Sequence, residues 1–228
     1  MTIYTQVVTV EDTSLTTVKS PALPIAPVDY NRQYQDQLNN VLRLYFAQID
    51  ALTSQLRVGL LNTLALPYGA FQDSTNQSTT ANTAAVMTFN TTDFSNGVTV
   101  VTSGGKASRI TAVTAGIYNF QWSGQFQNTD NAQHDISVWL KKNGVDIAGS
   151  TGFISIPARK SAGAGNEGHV ITGWNYFVSF NAGDYIELYW STTNAAVTIE
   201  AYAAATSPTR PATASLIATM AFVSALPA

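Results

Sequence analysis

The chain has 228 residues and a net charge of −3, and charged residues make up only 11% of it, against about a quarter in ordinary soluble domains. Its length suits one good-sized domain with an appendage rather than two full domains. No Lys/Arg cluster supplies the electrostatic footprint of a nucleic-acid binder, and the absence of cysteine excludes disulfide scaffolds, thiolate metal sites and thiol nucleophiles.

With so few charges, Thr, Ser, Asn and Gln must build most of the polar surface, a composition that leans towards a rigid particle rather than a flexible enzyme. Met1 to Glu11 lacks the basic start and apolar block of a signal peptide, and Thr2, Thr5, Gln6 and Thr9 interrupt it. No run approaches the roughly 20 apolar residues that span a membrane. The expectation is a chain made in a cytoplasm and not inserted in a membrane.

Residues 1–29 read as an extended arm. Thr5 to Val10 is β-prone, and Pro21, Pro24 and Pro27 forbid a helix. An arm without its own core is either disordered or laid against a partner, and the apolar Tyr4, Val7, Val8 and Val10 favour the partner.

From residue 30 to about residue 62 the pattern turns helical, with Asp29 as the expected N-cap and Gly59 as the expected end. Leu38, Leu42, Tyr45, Ile49, Leu52 and Leu56 step by four and three in strict alternation, a heptad seam of about three repeats. Two readings stay open: a multi-stranded coiled coil, or one amphipathic helix packed on its own domain. Such a helix spans only about 45 Å at about 1.5 Å per residue.

After Pro67 the sequence reads as strand and turn. Val98 to Thr102, Arg109 to Val113, Ile117 to Phe126, Ile136 to Leu140 and Phe153 to Ile156 are β-rich. Val170 to Phe180, Tyr185 to Trp190, Val197 to Tyr202 and Leu216 to Val223 continue the series. Asn96-Gly97, Asn143-Gly144 and Ala182-Gly183-Asp184 punctuate it as turns. Tyr118, Phe120 and Trp122 alternate with Asn119, Gln121 and Ser123, so each sheet has one buried face. The reading for residues 67–228 is a two-sheet sandwich, either jelly roll or immunoglobulin-like.

No constellation for catalysis emerges. Gly163 to Gly168 formally matches G-x-G-x-x-G, but the β-branched and aromatic run from Val170 to Phe180 cannot start the helix that motif needs. Gly104-Gly105-Lys106 lacks the Ser or Thr of a phosphate loop. His134, beside Asp130 and Asp135, and His169 read as solvated loop histidines without a histidine partner at metal-ligand spacing. The carboxylates form no acid–base pair, and Glu187, between Ile186 and Leu188, reads as an outward strand residue. Trp122, Trp139, Trp174 and Trp190 could stack on sugars if exposed, but three of the four sit inside alternating strands, where core or subunit-interface packing is the usual use. Trp139, opposite in phase to Ile136 and Leu140, is the first to test as an interface or ligand residue. The chain is expected to be neither an enzyme nor a binder of metal or cofactor.

Four segments fall in an order that resembles the complement-globular-head and tumour-necrosis-factor superfamily. They are Ala115-Gly116-Ile117-Tyr118-Asn119-Phe120 after Phe89 to Phe94, Val138 to Gly144, Phe180 to Leu188 with its Gly183-Asp184, and Ser215 to Val223. The match spans roughly residues 67–225 and departs from the family at the long Ser161 to Gly168 loop and the Ser207 to Pro211 insertion. The resemblance implies an all-β jelly roll of about ten strands, a compact homotrimer, and an aromatic sheet face buried against neighbouring subunits. Tyr118, Phe120, Trp122, Trp139, Leu188, Trp190 and Phe222 are then the expected core or interface residues, and the helix becomes a short trimeric coiled-coil stalk. The proline-rich arm, Tyr30 and Tyr34, and Leu38 to Phe46 before a β head resemble short structural proteins of tailed bacteriophages, marine ones especially. That resemblance implies a virion protein, either capsid decoration, cement or short fibre, whose arm grips other capsid or tail proteins. The rival it leaves is a tail-fibre tip that binds a host glycan or protein.

Overall fold

The structure is a computed structural model that describes residues 19–25, 28–63 and 66–227. It divides into two units, residues 1–65 and 66–228. Tyr4, Val7, Val8 and Val10 lie outside the described residues.

The first unit is organised by α1, Arg32–Thr63. Asn31, not Asp29, caps it: Asn31 Oδ1 accepts from the Gln33 amide at 2.8 Å and the Tyr34 amide at 3.2 Å. Two of the four amides that a helix start leaves unpaired are thereby satisfied. Gly59 does not end the helix, which continues to Thr63. A glycine costs about 1 kcal/mol in a helix interior, too little to stop so long an element. Along one face, Leu38, Leu42, Tyr45, Ile49 and Leu52 are each half-buried, and Leu56 is 49% exposed. None of the described α1 side chains is buried.

The second unit is an all-β jelly-roll sandwich. Its first strands are β1 (Tyr68–Asp73), β2 (Ala85–Val86), β3 (Thr91–Asn96), β4 (Val98–Ser103) and β5 (Lys106–Ala112). Then come β6 (Gly116–Asn128), β7 (His134–Lys142), β8 (Val145–Asp146), β9 (Gly152–Ile156) and β10 (Gly168–Phe180). The last are β11 (Tyr185–Thr192), β12 (Val197–Ile199), β13 (Ala205–Thr206), β14 (Thr209–Arg210) and β15 (Leu216–Ser224). One sheet has six strands in the order β10-β6-β15-β1-β3, with β12 also on β6. The other has seven in the order β4-β5-β11-β7-β8, with β2 on β11 and β9 on β7. The chain crosses repeatedly between the sheets, at β5 to β6 to β7 and at β10 to β11 to β12, as in a jelly roll.

Alternation decides what is inside. In β6, Tyr118, Phe120, Trp122 and Phe126 point to the core and meet Phe180, Leu188 and Trp190 from other strands. The Tyr118 ring stands edge-on to Phe180 and to Phe222, both at 5.4 Å. Its hydroxyl, carried out of the core, donates to the Thr114 carbonyl at 2.8 Å, and burial pushes its pKa up. Turn chemistry fixes the hairpins. Asn143 and Gly144 both have positive φ, 50° and 81°, the conformation that a two-residue hairpin turn requires. Gly173 answers a different need, because a Cβ there would lie 2.1 Å from the Trp122 carbonyl oxygen.

Six strands are absent from the sequence reading: β1, β2, β3, β8, and the β13–β14 hairpin, which overlaps the Ser207 to Pro211 insertion. The expected strand Val197 to Tyr202 is shorter, ending at Ile199. Because Phe126 is fully buried, Phe126→Ala is expected to cost about 3–5 kcal/mol in urea unfolding. Val145→Ser, at an exposed strand position, is expected to change stability by no more than about 0.5 kcal/mol.

Candidate functional site

The expected interface residues are mostly interior. Tyr118, Phe120, Trp122, Leu188 and Trp190 are buried between the sheets, and Phe222 is half-buried against them. The aromatic face of β6 therefore covers the chain's own second sheet, because a sandwich turns the heaviest apolar side of each strand inward. Only Trp139 faces outward, half-exposed between the buried Val138 and Leu140.

What the six-stranded sheet presents outward is a different set of residues. Register aligns Phe177 with Asn119 and Ala221, Asn175 with Gln121 and Thr219, and Gly173 with Ser123 and Ile217. Phe177 is 61% exposed and Ile171 is 71% exposed, with Ile217 and Val223 also open. Among them Asn119 Oδ1 is buried with no hydrogen-bond partner among the described residues. Leaving such an acceptor unsatisfied costs about 1–3 kcal/mol. An uncharged surface that sets Phe177, Ile171 and Ile217 among Asn, Gln, Ser and Thr, with an orphan acceptor at Asn119, is chemically suited to covering by another protein surface. The sequence does hold a signal for it. Tyr176-Phe177-Val178 is apolar on both phases of a strand, the mark of a strand that needs cover on both faces.

The outward side of the seven-stranded sheet is aromatic and charged. Trp139 lies opposite Tyr189, and Lys141 opposite Glu187. Glu187 faces outward on its strand as expected, yet it is buried: Ser108 Oγ donates to it at 2.8 Å and Arg109 Nε lies 3.5 Å away. Arg109 also sits over the Tyr185 ring at 4.2 Å.

Both histidines lie on strands rather than in loops, and of the two only His134 is half-buried, His169 being exposed as expected. His134 opens β7, half-buried, with Nε2 2.7 Å from Asp130 Oδ2. His169 lies on β10, 3.2 Å from the Tyr202 hydroxyl and 4.0 Å from Glu167. The hydrogen bond from His134, then that from the Asn131 amide, holds the Asp130 carboxyl below its ordinary pKa. At Asp184, burial pushes the carboxyl up. The Asn181 amide, Asn143 and Lys142 outweigh it, so the net direction is down. These pairs tie loops to strands. Among the described residues no group of three or more His, Asp or Glu is placed to hold a metal ion, and no helix is long and apolar enough to cross a membrane. Gly163 to Gly168 forms the loop leading directly into β10, so no helix N-terminus faces it.

No family model matches the chain, and no curated protein matches it. Among solved structures, the crystal structure of murine APRIL at pH 8.5 is similar to it. The likeness covers 69% of this chain and 98% of that one, at 9% identity and a TM-score of 0.41. The jelly roll itself is read from the strand order.

Asp130 provides a pH test. Its folded pKa lies below the unfolded value, so its stabilising contribution is complete above the ordinary carboxylate range and is lost as pH falls through the folded value. Asp130→Asn is therefore expected to flatten part of the acid limb of stability against pH. Urea midpoints of the two proteins should converge at the acid end and separate towards neutrality.

Proposed function

We propose that this chain is a homotrimeric structural protein of a tailed-phage virion, a capsid cement or decoration protein or short fibre. Residues 1–29 and α1 attach it to other virion proteins, and its jelly rolls stand on the particle surface. It performs no catalysis and carries no cofactor.

The observation that carries this reading is the uncharged outward face of the six-stranded sheet, with Phe177 and Ile171 open and Asn119 Oδ1 unpaired. The half-exposed seam of α1 is a second apolar surface lacking full cover. A helix of this length gains most of its stability by burying such a seam, and heptad spacing does so in a bundle of like helices. The head motifs resemble a family of compact trimers, which favours three copies over two. The virion rests on the organisation of the first sixty residues and on the charge-poor composition, and the 32-residue helix, about 48 Å at about 1.5 Å per residue, suits a surface protein better than a long fibre.

Sedimentation velocity tests the assembly. Phe177→Asp with Ile171→Asp is expected to shift the full chain from trimer towards monomer at micromolar concentration, and so is Leu42→Asp with Ile49→Asp. All four positions are exposed or half-exposed, so the β signal of the head should be retained in circular dichroism, while the Leu42 and Ile49 variant is expected to lose helical signal together with its bundle. Unchanged trimers in both variants would remove these surfaces from the assembly. Deleting residues 1–29 is expected to leave a trimer that no longer stays on purified particles, and full retention would remove the arm's attachment role.

A further inference from the structure

We propose that the outward face of the seven-stranded sheet is a shallow platform for a neutral, linear oligosaccharide, seated on Trp139 and Phe153. This goes beyond the assembly role, since it uses the sheet opposite the one that carries Phe177.

The register places the rings side by side. Trp139 on β7 is opposite Tyr189 on β11, with ring centroids 5.9 Å apart and planes tilted by 31°. Phe153 on β9 is opposite Ser137, the next outward residue of β7. Phe153 is 80% exposed, and nothing in the sandwich accounts for a ring there. Trp139 is held from its edge, because Nε1 donates to Asp146 Oδ1 at 2.8 Å. A ring so fixed loses little further freedom on binding.

The surroundings select the ligand class. Lys141 Nζ lies 3.3 Å from Asp146 and 4.6 Å from the Tyr189 ring centroid, and Arg109 is engaged with Glu187. The four charges near Trp139 thus cancel in pairs, and Asp135, the next outward residue of β7 beyond Ser137, accepts from the Ser155 hydroxyl at 2.5 Å, so the face holds no excess positive charge for an anion. A broad apolar protein surface would have to desolvate all four, at a cost that such pairs seldom recover. The hydroxyls of Ser137, Ser191 and Tyr189 stand on the same outward face, and none has a hydrogen-bond partner among the described residues. Rings that accept apolar C–H faces, beside free hydroxyls and a carboxylate acceptor at Asp135, are complementary to an uncharged sugar chain. Such a chain offers alternating C–H and O–H surfaces without charge.

Isothermal titration calorimetry of the full chain with neutral linear hexasaccharides of glucose, mannose, galactose and N-acetylglucosamine tests the platform. Saturable binding to at least one is expected, weakened at least about tenfold by Trp139→Ala and by Phe153→Ser, each removing an aromatic anchor. Val113→Ser, exposed and away from the rings, should leave it unchanged. Phe153 is open enough that its variant folds whatever Trp139→Ala does. Absence of saturable binding to all four sugars, or binding that both variants leave intact, overturns the proposal. So does a change of oligomeric state in Phe153→Ser, which would assign the face to a second copy of the chain.

Discussion

The antiparallel register between β6 and β10 is the constraint on which the rest of the head depends. The two strands pair along their whole 13-residue length, from Gly116 opposite Phe180 to Asn128 opposite Gly168. Side chains alternate across a strand, so a slip of one residue would turn Tyr118, Phe120, Trp122 and Phe126 to solvent. It would also carry Gly173 away from Trp122, where the backbones approach too closely for any Cβ. The same register that buries those aromatics forces Ile171 and Phe177 outward. Core and exposed apolar face are two consequences of one alignment.

The two outward faces differ in kind. On the six-stranded sheet, uncharged and apolar residues surround an unpaired amide oxygen, a surface that gains by being covered. On the seven-stranded sheet, rings and charges are already engaged with one another through Trp139 and Asp146, Lys141 and Tyr189, and Arg109 and Glu187. A surface whose charges are internally balanced remains well solvated. The face proposed for assembly and the face proposed for sugar binding lie on opposite sides of a single core.

Much of the head was legible in the sequence because its central strands alternate cleanly. Tyr118 to Trp122 and Ile136 to Leu140 announce their inward sides, and Asn143-Gly144 announces its turn. β1 was missed because Gly69, Ala70, Gln72 and Asp73 carry no β signal and only Phe71 anchors the strand. β3 is exposed throughout, so only its motif context marked it. On α1, the cap moved from Asp29 to Asn31 because the side chain that counts is the one that reaches the second and third helical amides. The outward surfaces were the least legible part. The aromatics that stand out in sequence, Tyr118, Phe120 and Trp190, do so because they are the core. Phe177 and Phe153 stand out only once register says which way they face, and the pairing of His134 with Asp130 depends on how the loop before β7 closes.

In the trimer proposed for this chain, the helix seam and the Phe177 face are covered by further copies. Native mass spectrometry of the full chain at low micromolar concentration addresses it most directly. The expected spectrum is dominated by a species at three times the 24.4 kDa chain mass, without significant dimer. A spectrum dominated by the single chain would contradict it, leaving both apolar surfaces without the partner assigned to them.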